Sequence, residues 1–366
     1  MEPSDGHHVV DVHVSEEEVI HAHHLVGTSQ QGDSTTPLTR VLHCVWPDVS
    51  GIRSMRFHGS MTNSVFKVWK ENGGDESAVI VRLCVDSCTR VVDRTVEGAV
   101  FRVLSDAGVG PQVLVEFDNG RVEEFLSGYM AIPGAGKMKQ VMPAIAKALA
   151  RFHAQATDAV LSSSYAEMIP SLKDRLFSWC MYIQEKVSLF SAHGWVSEFV
   201  HLQLARMDDL FPQLSKRALL HGDLQCGNIL MRESGGDEPS IRLIDYDYCG
   251  FGDVAWDIGN HFAEYGADYA GDVMFQWDNI PTYEEKKEFI RVYVEEMLGF
   301  PSSQCLCDDE EILLQLSEKY IHVSHVYYCA WALVIHADSK ESQSSVFDYL
   351  GYAYERYLQV VATLPG

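Results

Sequence analysis

An α+β fold is predicted for this chain, with a strand-rich first part carrying one helix and a larger, mainly helical remainder. Three observations predict it. Between Val41 and Leu126 the apolar residues fall in short runs bounded by turn formers, as in Ala78-Val79-Ile80-Val81-Arg82-Leu83, which is how strands read. One stretch inside that region, Thr95 to Leu104, has helical apolar spacing instead. From about residue 139 onward the helical period takes over, as in Ile145-Ala146-Lys147-Ala148-Leu149-Ala150-Arg151-Phe152-His153. The expected organisation is a flexible tail over 1–38, a smaller strand-rich part over 39–127 and a helical part over 128–366.

Composition bounds what the chain can be. Its 366 residues are 46% hydrophobic and 11% aromatic, enough to bury a sizeable core. Against 52 acidic residues stand only 28 basic ones, a formal net charge of -24. A field of that sign repels phosphate backbones, which argues against nucleic acid or an anionic membrane face as a partner. It is compatible with a cationic small substrate. The nine cysteines are scattered, odd in number and mostly inside apolar segments, and Cys305-Leu306-Cys307 is a lone C-x-C. Free thiols in a reducing compartment are therefore expected. The N-terminus lacks a basic flank with an apolar core, and no apolar run is long enough to span a bilayer. A cytoplasmic location without stable membrane insertion is the expectation.

In chain order, residues 1–38 are polar and carry histidines at 7, 8, 13, 21, 23 and 24 before Ser29-Gln30-Gln31-Gly32-Asp33-Ser34-Thr35-Thr36-Pro37. Scattered histidines without a folded frame read as tail rather than as a metal site. Met55 to Val68 reads as strand, tight turn, strand. The turn holds Gly59, Ser60, Thr62 and Asn63, whose N–H, hydroxyl and amide groups suit phosphate oxygens; a plain hairpin looks the same. The strand over 78–83 carries Arg82, whose planar fork binds phosphate bidentately. Glu97, on the helix over 95–104, is either the ion-pair partner that orients Arg82 or a solvated carboxylate. Gly110-Pro111 ends that helix, and Val113–Phe117 with Gly120–Leu126 forms a hairpin about Asp118-Asn119-Gly120. Glu124 lies at its far end. His153 reads as a structural histidine, and Leu172 to Met207 supplies two further amphipathic helices.

The rest is organised around Leu219 to Tyr265. His221-Gly222-Asp223-Leu224 opens it, Asn228 stands five residues after Asp223, and the apolar run Ile241-Arg242-Leu243-Ile244 delivers Asp245. The spacing H-x-D-L-x-x-x-N, followed by a strand ending on Asp, matches the catalytic loop and metal-binding Asp of kinase-type phosphotransferases. Such sites need a carboxylate to orient and deprotonate a hydroxyl, and oxygen donors for magnesium. Asp223 suits the first role, Asn228 and Asp245 the second. Gly222 stands where protein kinases have Arg, Tyr246-Asp247 follows where they have Phe-Gly, and no A-P-E segment appears. These departures argue against a protein kinase.

The segment resembles the choline/ethanolamine kinase family, whose hallmark looks like Asp257-Ile258-Gly259-Asn260-His261-Phe262 with Glu264 after it. The resemblance covers roughly residues 45 to 360 and is densest over 219–265. It implies a two-lobed protein-kinase-like fold, with a small antiparallel β-sheet lobe carrying one helix and a mainly helical lobe. ATP and Mg2+ are the implied cofactors. ATP phosphates would meet the turn at Gly59, Ser60, Thr62 and Asn63, and Arg82 oriented by Glu97; adenine would lie at Glu124. Asp223, Gln225 and Asn228 would act in catalysis, with Asn228 and Asp245 holding the metal.

The implied acceptor is a small amino alcohol whose cationic head sits among aromatic faces and a carboxylate. Glu264, Tyr265 and Tyr269 follow the hallmark on the same expected helix; Tyr328 and Trp331 share a helix face; Phe347 and Tyr352 complete the set. Read alone, aromatics at such spacing more often belong to an ordinary core. Relatives usually carry two tryptophans where this chain has Tyr328 and Trp331. Val91-Val92-Asp93-Arg94, Phe101-Arg102-Val103-Leu104 and Ile244-Asp245-Tyr246 look more like ethanolamine kinases, whereas Gln225, Gly227-Asn228-Ile229-Leu230 and Gly120-Arg121 look more like choline kinases. The expected reaction is phosphorylation of ethanolamine, or choline, as the first step of the nucleotide-activated (Kennedy) phospholipid route. The resemblance also allows a homodimer. Rival readings are a kinase of another small hydroxyl compound, such as an aminoglycoside, and a non-catalytic pseudokinase; the hallmark and the intact Asp223, Asn228 and Asp245 count against them.

Overall fold

The computed structural model describes residues 8–22, 36–57, 62–84, 89–211, 217–233, 235, 238–269, 274–299, 307–342 and 347–363. The chain divides into two compact units, Met1–Asp86 with Leu104–Tyr129, and Ser87–Val103 with Met130–Gly366.

The first unit is built on a six-stranded sheet. Its strands are β1 (His8–Val10), β2 (Ile52–Phe57), β3 (Asn63–Lys70), β4 (Val79–Cys84), β5 (Val113–Phe117) and β6 (Gly120–Glu124), in the order β1-β5-β6-β4-β3-β2. β1 runs parallel to β5 and the other neighbours are antiparallel. Alternation sets which face is buried: Phe66 and Val68 of β3, Val81 of β4 and Val122 of β6 are fully enclosed. Two short helices close the core, α1 (Glu16–Ile20) and α2 (Pro37–His43). Ser15 and Glu18 form a capping box on α1, and Thr36 with Pro37 starts α2. The β5–β6 turn requires Gly120, where a Cβ would lie 2.1 Å from the Arg82 carbonyl oxygen.

Residues 8–22 correct the expectation of a flexible tail over that stretch. Val10, Val12 and Val14 alternate as a strand does, and Val14 and Val19 are fully buried in the sheet's core. The Asn119 side chain holds Val14 at both backbone groups, accepting from its N–H at 2.9 Å and donating to its carbonyl at 2.8 Å. The histidines at 7, 23 and 24, together with Gly59 and Ser60, lie outside the described residues.

The second unit opens with most of α3 (Arg94–Asp106), whose start is capped by Asp93 Oδ1 accepting from the Thr95 and Val96 N–H groups. Its small strands are β7 (Met130–Ala131), β8 (Arg217–Leu220), β9 (Ile229–Arg232), β10 (Ser240–Leu243) and β11 (Gly250–Asp253). They form a three-stranded sheet, β10-β9-β7, and the pair β11-β8. The helices are α4 (Ala135–Gln140), α5 (Met142–Leu161), α6 (Leu172–Glu185), α7 (Gly194–Ala205), α8 (Met207–Leu210), α9 (Val254–Glu264), α10 (Tyr283–Leu298), α11 (Cys307–Ser342) and α12 (Tyr349–Ala362). All residues of α9 are buried, and α11, 36 residues long, packs along it. Gly259 allows this approach: a Cβ there would meet the Ser317 carbonyl oxygen at 2.5 Å. Tyr265 caps α9 and Tyr269 lies beyond its end, so the expected single helix through Tyr269 stops earlier. Among the described residues no helix is long and apolar enough to cross a membrane.

Candidate functional site

β8 carries the chain to His221, after which the backbone turns sharply. Gly222 adopts φ +85°, and a Cβ there would lie 2.2 Å from the Tyr248 carbonyl oxygen. Only glycine meets both conditions, which accounts for the His-Gly-Asp form of the loop. Asp223 follows, half-buried. Asn228 Nδ2 donates to both the Asp223 carbonyl oxygen and Asp223 Oδ2, each at 2.9 Å. That leaves Asn228 Oδ1 as its remaining oxygen donor. Gln225 Oε1 accepts from the Gly227 N–H at 2.7 Å and so shapes the turn before Asn228. Asp245, just past β10, is held at φ +70°, a conformation a non-glycine residue keeps only when its surroundings impose it. The loop and β10 are tied by Ile244 N–H to the Asn228 carbonyl and by His221 Nε2 to the Ile244 carbonyl, both at 3.0 Å.

The Asp257-Ile258-Gly259-Asn260-His261 run is a clamp on that loop. Positions 257, 260 and 261 share one face of α9. Asp257 accepts from His221 N–H at 2.6 Å, from Gly222 N–H at 3.0 Å and from His153 Nε2 at 2.9 Å. Asn260 Oδ1 accepts from Leu224 N–H, and His261 Nδ1 pairs with the Leu224 carbonyl. His153 is satisfied on its other side by Tyr293 Oη at 2.8 Å. Burial pushes His261 down to about 4. Burial alone would raise Asp257, but its bond to His153 and the charges around it hold its carboxyl below the usual range.

Asp223 goes the other way. Burial first, then the negative charges of Glu264 and Asp247, push it up to about 7, against the lowering effect of its bonds from Tyr328 and Asn228. A carboxylate so placed is poised to take a proton near neutral pH. The oxygen donors of Asn228 and Asp245 fit a hard divalent ion. Among the described residues there is no cluster of three or more His, Cys, Asp or Glu ligands, so further ligands would have to come from the nucleotide and water, as is usual for magnesium.

The six residues expected around the acceptor converge in the second unit. Tyr328 Oη donates toward the Gly222 carbonyl at 2.8 Å and Asp223 Oδ1 at 2.9 Å. Trp331 Nε1 donates to Tyr248 Oη at 2.7 Å. Glu264 Oε2 accepts from Tyr269 Oη at 2.8 Å. Tyr352 stands between the rings of Trp331 and Phe347, 5.9 Å from each centroid. Sequence reasoning missed Arg356. Its guanidinium is fully buried, donates to Glu264 Oε1 at 2.6 Å, and lies 5.2 to 5.5 Å from the rings of Phe275, Trp277, Tyr328 and Tyr352. Its place one helical turn after Tyr352 is the only trace of this in the sequence.

In the first unit, Arg82 is buried and its Nε donates to Glu123 Oε1 at 2.8 Å; Arg121 Nε reaches the same oxygen at 2.7 Å. Burial alone would raise the Glu123 carboxyl, but the two guanidinium groups hold it below its usual range. Arg82 and Arg121 face each other across β4 and β6, a pairing the linear sequence conceals. Asn63, which begins β3, donates to Thr62 Oγ1 at 3.2 Å. Glu124 N–H donates to the Gln112 carbonyl, and its carboxylate accepts from Gln112 N–H. Glu97 belongs to the second unit, in the first turn of α3, and is buried.

A profile described as choline/ethanolamine kinase matches residues 55–361. The chain is 29% identical to the "probable choline kinase 2" of Arabidopsis thaliana over 87% of this chain and 89% of that one. It is 28% identical to the mouse (Mus musculus) ethanolamine kinase 1, over 91% and 89% respectively. Among solved structures, the choline kinase of Cryptosporidium parvum superposes with a TM-score of 0.68 at 23% identity, covering 85% of this chain and 88% of that one. The fold is accordingly protein-kinase-like, and with its loop, clamp and aromatic box on a profile match that spans most of its length, the chain belongs to the choline/ethanolamine kinase family.

Proposed function

We propose that the protein transfers the γ-phosphoryl group of ATP to the hydroxyl of a small amino alcohol, with ethanolamine preferred over choline. The observation that carries this is Asp223. Its Oδ2 is held by Asn228, its Oδ1 is bonded by Tyr328 of the aromatic box, and its proton affinity lies near neutrality. A carboxylate so joined to a box of rings and Glu264 suits an acceptor with a hydroxyl at one end and a cation at the other.

Asp223 would orient the hydroxyl and receive its proton. Asn228 and Asp245 would hold the magnesium ion of the nucleotide, which when bound neutralises charge on the phosphates. Arg82, with Thr62 and Asn63, is assigned to the nucleotide from its sequence position and from the fixed, buried posture of its guanidinium. The preference for ethanolamine rests on oxygen acceptors. Glu264 and the hydroxyls of Tyr269, Tyr328 and Tyr352 suit the N–H donors of a primary ammonium, which a quaternary one lacks. Phosphoethanolamine would be the product, the starting intermediate of the nucleotide-activated phospholipid route.

The test is acceptor-dependent ADP release with ATP and magnesium, comparing ethanolamine with choline and using Asp223→Asn as control. A higher kcat/KM for ethanolamine is expected. Equal values would remove the preference, and no acceptor-dependent release with either would remove the reading.

A further inference from the structure

Tyr328 belongs both to the box and to the loop. Its ring faces the Arg356 guanidinium at 5.4 Å and meets Trp331 at 6.2 Å with the planes 66° apart. Its hydroxyl has one hydrogen and two acceptors, the Gly222 carbonyl at 2.8 Å and Asp223 Oδ1 at 2.9 Å. A phenol hydrogen turns about the Cζ–Oη bond, so it can pass from one acceptor to the other without movement of any heavy atom. The Gly222 carbonyl is a fixed destination, because Asp257 pins the backbone at His221 and Gly222. Asp223 Oδ2, by contrast, is engaged by Asn228. Oδ1 is therefore the oxygen whose availability can change.

We propose that Tyr328 is a positioning residue that couples filling of the acceptor box to the readiness of Asp223: its hydroxyl holds Oδ1 while the box is empty and turns to the Gly222 carbonyl when an acceptor hydroxyl arrives. This rests on the reading of Asp223 given above. In the step that follows, the acceptor oxygen forms the new bond to the γ-phosphorus. The bond from that phosphorus to the β,γ-bridging oxygen breaks, its electron pair leaving on ADP, and the acceptor proton passes to Asp223 Oδ1. Burial, with the charges of Asp223 and Glu264, holds the Tyr328 phenol well above its usual pKa, so it remains a donor throughout. An indole in this place would offer one N–H in one fixed direction and no second choice.

The experiment is steady-state kinetics of Tyr328→Phe beside Asp223→Asn, with thermal unfolding of each. The ring, and with it the box wall, survives in Tyr328→Phe. The phenol competes with the acceptor hydroxyl for Oδ1, so the expected result is an acceptor KM about ten-fold lower, the order of effect of one hydrogen bond to a charged group, with kcat within two-fold of wild type. A raised acceptor KM at unchanged kcat would make Tyr328 a wall of the box and nothing else, and an unchanged kcat and KM would also overturn the coupling. Asp223→Asn separates the two levels. If it stays active, the reading of Asp223 itself falls; if it is dead while Tyr328→Phe keeps the wild-type acceptor KM, only the coupling falls. Should Tyr328→Phe fold poorly, 3-fluorotyrosine at 328 keeps the shape of the ring and strengthens the donor. It is expected to raise the acceptor KM at constant kcat, and an acceptor KM equal to wild type would overturn the proposal.

Discussion

Replacing Asp257 by Asn tests the clamp directly. The two side chains have the same shape, so the change is one of hydrogen bonding and charge. Asp257 Oδ2 accepts from both His221 N–H and His153 Nε2, and Oδ1 accepts from Gly222 N–H. An Asn can offer its single oxygen to the first pair, but its amide nitrogen then faces the Gly222 N–H, donor against donor. One buried donor left unmade costs about 1–3 kcal/mol, and losing the charge weakens the other bonds, for a total of about 2–4 kcal/mol. In a unit of this size that corresponds to a fall of roughly 4–16 °C in the unfolding midpoint. Because the freed backbone carries Asp223, kcat should fall about 100-fold, as expected for a displacement near 1 Å at a reacting group. The assay is thermal unfolding by circular dichroism together with acceptor-dependent ADP release. A variant that melts within about 2 °C of wild type and keeps more than half its kcat would show that the clamp neither stabilises the unit nor holds the loop, contrary to the size of effect argued above.

Three further outcomes are expected. Asp223→Asn should abolish turnover yet raise the unfolding midpoint, by more at pH 8 than at pH 5. The folded pKa of about 7 lies above the unfolded 3.8, so the native protein binds the extra proton and wild type loses stability as pH rises between those values. The loss is at most about 4 kcal/mol, less because Asp223 is only half-buried; an equal gain at both pH values would contradict the sign. His261 works in the opposite sense, since its folded pKa of about 4 lies below the usual 6.5 and acidification protonates the unfolded chain first. In an Asp223→Asn background, His261→Gln should flatten the stability loss between pH 7 and pH 5 by about 2 kcal/mol, measured by urea unfolding; an unchanged slope would count against a buried neutral imidazole. Finally, Arg356→Met strands the Glu264 carboxylate and should cost about 3–5 kcal/mol, most of it recovered by adding Glu264→Gln; a double variant no more stable than the single one would refute the pairing.

Much of the candidate site could be read from the chain because its spacing is local. Asp223, Asn228 and Asp245 come from one loop and the strand that follows, and their order survives without any knowledge of packing. Arg82 was legible from its strand, and the β5–β6 hairpin from Asp118-Asn119-Gly120. What escaped depends on contacts between distant segments, which periodicity does not report. β1 has three residues and gains its place from β5 and from Asn119, 105 positions beyond Val14. Glu123 reads as an ordinary alternating residue until β4 brings Arg82 beside it. Arg356 has the look of a solvated helix cation, yet aromatic rings and Glu264 enclose it completely. The hallmark around Asp257 was visible as a pattern, but its work on the backbone of 221–224 appears only in the hydrogen bonds.

The loop at 221–228 is finished by parts of the chain made long after it. Tyr328 reaches back 105 positions to Asp223 and 106 to Gly222, Arg356 reaches back 92 to Glu264, and Ser324 steadies Asn260 from 64 positions on. A chain still emerging from the ribosome thus carries Asp223, Asn228 and Asp245 without the helices that brace them. Domains generally fold as units during synthesis, and here the unit closes only once α12 has been made. Products ending before α12 would hold every residue of the loop motif and still lack Tyr352 and Arg356 of the acceptor box.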